Sequence, residues 1–102
     1  MSTLSDNGAR NGSFVFQLFV AGDESNSSEA RENLKTICES YLKERYKIQI
    51  VDVFKSFDIA LENRIFLTPA LVRVSPSPKI TVFGNLSDTG AVLKALGIGL
   101  KA

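Results

Sequence analysis

The chain has 102 residues, enough for one domain around a single core and too few for a catalytic domain joined to a separate regulatory one. Its net charge is +1, with 12 basic and 11 acidic residues interspersed, so it lacks the dense positive stripe with which a nucleic-acid binder displaces counterions. It has no histidine and a single cysteine, Cys38, which removes the usual general base near neutral pH, the commonest metal ligand, an internal disulfide and any CxxC redox pair.

Residues 1–13 are rich in Ser, Asn, Gly and Asp without periodicity and are expected to be a disordered arm ahead of a domain spanning 14–102. The first residues, Met1 to Gly8, lack the basic and apolar regions of a signal peptide, and no apolar run approaches the ~18 residues that span a bilayer. A cytoplasmic protein without a membrane partner is therefore expected.

Phe14 to Val20 is almost wholly apolar and aromatic, the pattern of a central strand covered on both faces. Ala21 to Ser28 turns the chain into a helix, for which Asn26 with Glu29 is the expected N-cap pair. Ala30, Leu34, Ile37, Cys38, Tyr41 and Leu42 form its apolar stripe, and Cys38 within that stripe reads as a small core residue. Lys43 to Lys47 reads as a solvated helix end, followed by a second strand from Ile48 to Val53. The helix between these strands makes them parallel.

Ser56 is expected to cap a short second helix with Phe57, Ala60, Leu61 and Ile65 on its buried face. Thr68 is pushed out of the helical region by Pro69, and Pro69 is expected at the first position of a strand, where its missing N–H is tolerated. Ala70–Val74 and Ile80–Phe83 are joined by a connection too short for a parallel crossover, so they form an antiparallel hairpin. After Gly84-Asn85, Ser87 and Asp88 begin a last helix with Val92, Leu93, Leu96 and Leu100 on one face, weakened if Gly97 and Gly99 lie inside it.

The order β-α-β-α-β-β-α with Thr68-Pro69 opening the third strand resembles the thioredoxin-like α/β layout, whose proline at this place is cis. Within that layout, Leu18-Phe19-Val20-Ala21-Gly22, Val51-Asp52-Val53, Leu67-Thr68-Pro69-Ala70-Leu71, the Pro76 and Pro78 loop and Gly84-Asn85-Leu86-Ser87 resemble the KaiB family of circadian-clock proteins and the KaiB-like sensor domain of the SasA histidine kinase. The resemblance runs from Phe14 to about Leu96 and makes Gly22, Thr68, Pro69 and Gly84 fold determinants.

KaiB proteins are adaptors, so the resemblance implies no enzyme activity, no cofactor, and a KaiC-like ATPase as partner in clock-like or stress-adaptation signalling. It also implies a homo-oligomer, dimer or tetramer, in the free state, and the family's switch between a thioredoxin-like monomer and a tetrameric form with a differently folded second half. Asn85, where the family often has Asp, and the sparse basic character at Glu29, Arg31 and Glu32 speak against KaiA as a partner and point to a non-cyanobacterial member. If the second strand is a sheet edge, its unpaired backbone is a docking site framed by Lys47, Gln49 and Asp52, with Arg64 as the charged contact. Two rivals are weighed: a SasA-like sensor domain, and a glutathione-handling enzyme using Ser25, Ser27 or Ser28, which have no base beside them and serve more economically as helix caps.

Overall fold

Phe14–Val20 forms β1, and its apolar run lies where the pattern requires, inside a four-stranded sheet of order β2-β1-β3-β4. The structure, a computed structural model, describes residues 13–99; the expected N-terminal arm, apart from Ser13, and Leu100 fall outside the described residues. The other elements are α1 (Ser25–Tyr41), β2 (Tyr46–Asp52), α2 (Phe57–Glu62), β3 (Ala70–Ser75), β4 (Ile80–Phe83) and α3 (Thr89–Leu96). β2 pairs parallel to β1, while β3 pairs antiparallel to both β1 and β4. This is the expected thioredoxin-like order, with β2 and β4 as its edges.

Strand alternation divides the core in two. Phe16, Leu18, Val20 and Leu71 face α1 and α3, where Ala30, Leu34, Ile37, Cys38, Leu42, Val92, Leu93 and Leu96 meet them. Phe19, Val51, Ala70 and Val72 face α2, which supplies Ala60, with Ile65 following just beyond the helix.

Several expectations need correction. α1 begins at Ser25, and Glu24, not Asn26, is its N-cap, because the Glu24 carboxylate reaches the Ser27 N–H at 3.0 Å. Tyr41 is exposed, and Leu42 closes the stripe from the C-cap position. β2 starts at Tyr46, two residues earlier than expected, because pairing with β1 extends to Phe14↔Tyr46 and Val15↔Lys47. Val53 lies just past its end.

α2 stops at Glu62, so Ile65 cannot share its face. Phe57 and Leu61 are exposed, and Ser56 stands at the N-cap without a side-chain hydrogen bond. The stop is a Schellman motif: Ile65 N–H bonds to Ala60 O at 2.9 Å and Arg64 N–H to Leu61 O at 3.0 Å, with Arg64 in the left-handed region at φ 58°. α3 ends the same way, with Ile98 bonded to Leu93 O and Gly97 at φ 70°. Gly97 thus terminates the helix rather than weakening its interior.

Arg73 on β3 is only 7% exposed, and its guanidinium joins two otherwise separate regions. Nη1 donates to Leu96 O at 2.7 Å, capping α3, and Nη2 donates to Pro78 O at 2.8 Å, holding the β3–β4 loop. Loss of both charge-assisted bonds leaves two carbonyls without their donor. Arg73→Ala is expected to lower unfolding free energy by about 3 kcal/mol in urea titration, whereas Thr81→Ala on the exposed side of β4 changes it by less than about 0.5 kcal/mol.

Candidate functional site

The C-terminal ends of β1 and β2 converge with the start of α1 and with Thr68-Pro69, the end of the sheet where α/β proteins place their sites. Asp52 organises it: its Oδ1 accepts from Gly22 N–H at 3.3 Å and Phe54 N–H at 3.0 Å, tying the turns after β1 and β2 together. Gly22 has φ 55°, and a Cβ there would lie 3.5 Å from the Phe54 ring, so a larger residue would be strained as well as crowded. Thr68-Pro69 is cis, and Pro69 O accepts from Gly84 N–H at 2.9 Å, which joins the proline step to the end of β4.

The start of α1 is occupied by the protein's own groups. Ser27 is fully buried, and its Oγ accepts from Ala21 N–H at 3.1 Å. The backbone N–H groups of Asn26 and Ser27 hold the Glu24 carboxyl below the usual carboxylate range. A negative charge therefore stands at the positive end of the helix, where it repels an anionic or thiolate substrate. Ser25 and Ser28 are exposed beside it, with no histidine anywhere in the chain to act as their base.

Cys38 lies on α1 within the core, where burial first and the Glu39 charge second push its thiol up to about 12. Almost no thiolate is present near neutral pH. Among the described residues no group of three or more His, Cys, Asp or Glu could hold a metal, and no helix is long and apolar enough to cross a membrane.

Of the four sequence-derived contact residues, three come to one side. Lys47 and Gln49 alternate with Val51 on the α2 side of β2, both exposed on the edge strand. Gln49 Oε1 accepts from Gln17 Nε2 at 3.0 Å, which sets its orientation. Arg64 stands exposed at the end of α2. Asp52 is on the opposite side of the strand, and its Oδ1 is engaged by the two turns described above.

Sequence reasoning missed an aromatic surface around α2. Phe54 is 75% exposed, Phe57 64% and Phe66 74%, around a hollow of about 550 Å³ walled also by Ala21, Val53, Ala60, Leu61, Ile65 and Thr68. The available signal was length: six residues of helix bounded by Asn63 and Arg64 cannot bury Phe57, Leu61 and Ile65 together.

With this geometry in view, comparison with known proteins identifies the family. A KaiB domain matches residues 17–98. The chain belongs to the KaiB family. Among relatives, the circadian clock oscillator protein KaiB of Gloeothece citriformis (strain PCC 7424) is 39% identical over 85 residues, 83% of this chain and 80% of that protein. KaiB of Prochlorococcus marinus (strain NATL2A) is 38% identical over 83% of this chain and 79% of its own. In fold, this KaiB-family chain is similar to the N-terminal domain of Synechococcus elongatus SasA, with TM-score 0.69 and 22% identity over 83% of this chain and 84% of that one. It is also similar to mitochondrial thioredoxin 3 from Saccharomyces cerevisiae, with TM-score 0.66 and 19% identity over 82% and 77% of the two chains.

In this KaiB-family chain, Asn85 and Glu29 meet in space. Asn85 Nδ2 donates to Glu29 Oε1 at 2.9 Å, and Asn33 Nδ2 donates to Asn85 O at 2.8 Å. An aspartate at 85 would instead face the Glu29 carboxylate.

The Glu24 cap also gives a pH test. A carboxyl whose folded pKa lies below its ordinary 4.5 stabilises the fold above that pH and loses the effect as pH falls through the folded value. Wild type is expected to be more stable than Glu24→Gln at pH 7, with the difference shrinking as pH falls from the ordinary carboxylate value through the lower folded one in parallel denaturant titrations.

Proposed function

We propose that this chain is a non-catalytic adaptor of the circadian-clock type that docks on a KaiC-type ATPase and modulates its state, in clock-like or stress-adaptation signalling. The reading is carried by one observation: at the helix start where a thioredoxin-like enzyme would keep its reactive group, this chain places the Glu24 carboxylate and the buried Ser27. That end of the molecule is filled with internal caps, and what remains for function is surface. Membership in a family whose curated members are named circadian clock oscillator proteins supports the assignment to a clock-type pathway.

Docking uses the open edge of β2. The strand has seven residues and a hydrogen-bonded neighbour on one side only, so its outward N–H and C=O groups are available to an added strand or loop. Lys47 and Arg64 supply positive charge on the α2 side of that edge, and Gln49 a polar group held by Gln17. Asp52 acts through the turns it fixes. Such charges at a rim raise association rate and select orientation more than they add affinity.

The double charge reversal Lys47→Glu/Arg64→Glu is expected to weaken co-elution with the cognate KaiC-type ATPase at least about tenfold, with a contact that weakens in salt. Unchanged co-elution would refute the edge. Arg64→Gly separates fold from contact: glycine relieves the left-handed backbone, so stability is expected to rise by about 1 kcal/mol in denaturant titration while ATPase binding falls.

A further inference from the structure

The aromatic hollow beside α2 is used neither by the caps at the start of α1 nor by the β2 edge, and its walls are held in place. Phe57 stands on α2 itself. Phe54 has its N–H held by Asp52 Oδ1 at 3.0 Å, and its ring lies close against Gly22, where a Cβ would meet it at 3.5 Å. Phe66 follows Ile65, whose N–H is bonded to Ala60 O at 2.9 Å in the motif that ends α2. Rings on anchored backbone give a preformed recess, and its volume of about 550 Å³ lies within the roughly 300–1,000 Å³ of small-molecule sites.

We propose that this hollow binds an uncharged aromatic small molecule of about two or three rings that bears one hydrogen-bonding group. The lining dictates each part of that chemistry. None of the nine residues that line the hollow carries a charge, so an ionic group placed inside would lose its water without gaining a counter-charge. Phe54, Phe57 and Phe66 offer ring faces and edges, against which a flat aromatic molecule gains more than its buried area alone would give. Thr68 is the one polar side chain among the lining residues. It is half-buried, and its hydroxyl has no hydrogen-bond partner among the described residues, so it is available to orient the ligand.

Size separates this occupant from a protein partner. With roughly 150–250 Å² for each aromatic side chain, the three rings at their exposures leave roughly 400 Å² bare. Each side of a stable protein interface buries roughly 800 Å², twice as much. A small molecule needs no more surface than the hollow has. The site does not depend on the ATPase reading.

The chain has no tryptophan, so a fluorescent probe is read against a low background. N-phenyl-1-naphthylamine, neutral and with a single N–H, is titrated onto the full chain without ATPase; it is expected to brighten saturably at one probe per chain, with a dissociation constant of about 10 µM. The same skeleton with a sulfonate added, 8-anilinonaphthalene-1-sulfonate, is expected to bind at least about tenfold more weakly. Phe57→Ser/Phe66→Ser, with an unchanged circular dichroism spectrum, is expected to raise the constant for the neutral probe at least about tenfold, and Thr68→Val, which removes the hydroxyl alone, about fivefold. Tyr41→Ser, an exposed aromatic on α1 across the sheet, is expected to leave it unaltered. Absence of saturable binding, equal affinity for the sulfonate, indifference to the Phe57 and Phe66 changes or to Thr68→Val, or loss through Tyr41→Ser would each overturn the proposal. Probe uptake per chain that falls as the chain is concentrated under excess probe would overturn it as well, assigning the face to a protein contact. ATPase co-elution plays no part in these readouts, so failure of one proposal leaves the other standing.

Discussion

The length of α2 governs what the surface of this molecule can do. With six residues, the helix covers the part of its sheet face formed by Phe19, Val51, Ala70 and Val72, and from its own length it buries Ala60 with Ile59 half-buried beside it. The opposite face is covered by the 17 residues of α1 together with α3, and there the large side chains Phe16, Leu18, Leu34 and Leu96 are fully enclosed. Burial removes apolar surface from water only where there is an element to remove it. Phe54, Phe57 and Phe66 consequently remain outside, on the side of the sheet that Lys47 and Gln49 also face. The asymmetry of the two layers thus leaves an aromatic hollow on the same side of the sheet as the exposed side chains of the β2 edge.

The start of α1 is governed by electrostatics. In a thioredoxin-like layout the start of α1 is a place of unsatisfied N–H groups and positive potential, suited to a thiolate or an anion. Glu24 satisfies one of those groups and brings its own negative charge, while Ser27 turns inward to accept from Ala21. Asp52 then fixes Gly22 and Phe54 by the same means, a carboxylate accepting from backbone donors. Both carboxylates thus hold turns in place.

Several features were legible in the chain itself. β1, the hairpin of β3 and β4, the parallel pairing of β1 with β2 and the start of α3 near Ser87 and Asp88 all follow from local periodicity, proline placement and connection length. The apolar stripe of α1 was legible apart from its terminal Tyr41, because Ala30, Leu34, Ile37 and Cys38 lie on one side of a long helix and need no knowledge of the partner layer. Less visible were the caps: Glu24 and Asn26 are both reasonable starts, and only the position of the carboxylate relative to Ser27 N–H distinguishes them. Nor do residue types reveal that Arg73 is buried; its reach to Leu96 and Pro78 exists only once α3 and the β3–β4 loop have come together.

The same division applies to the candidate surface. Residue order determined that β2 would be a strand from Ile48 and that Gln49 would alternate with apolar neighbours, because a strand repeats every two residues whatever surrounds it; that Lys47 joins it follows only from the pairing with β1. Tertiary structure alone decided that β2 is an edge, that Asp52 is taken up by two turns, and that the phenylalanines around α2 face outward. Those outcomes depend on which strand comes to lie in the middle of the sheet and on how far a short helix can extend across it, and neither distance is encoded within any single stretch of the chain.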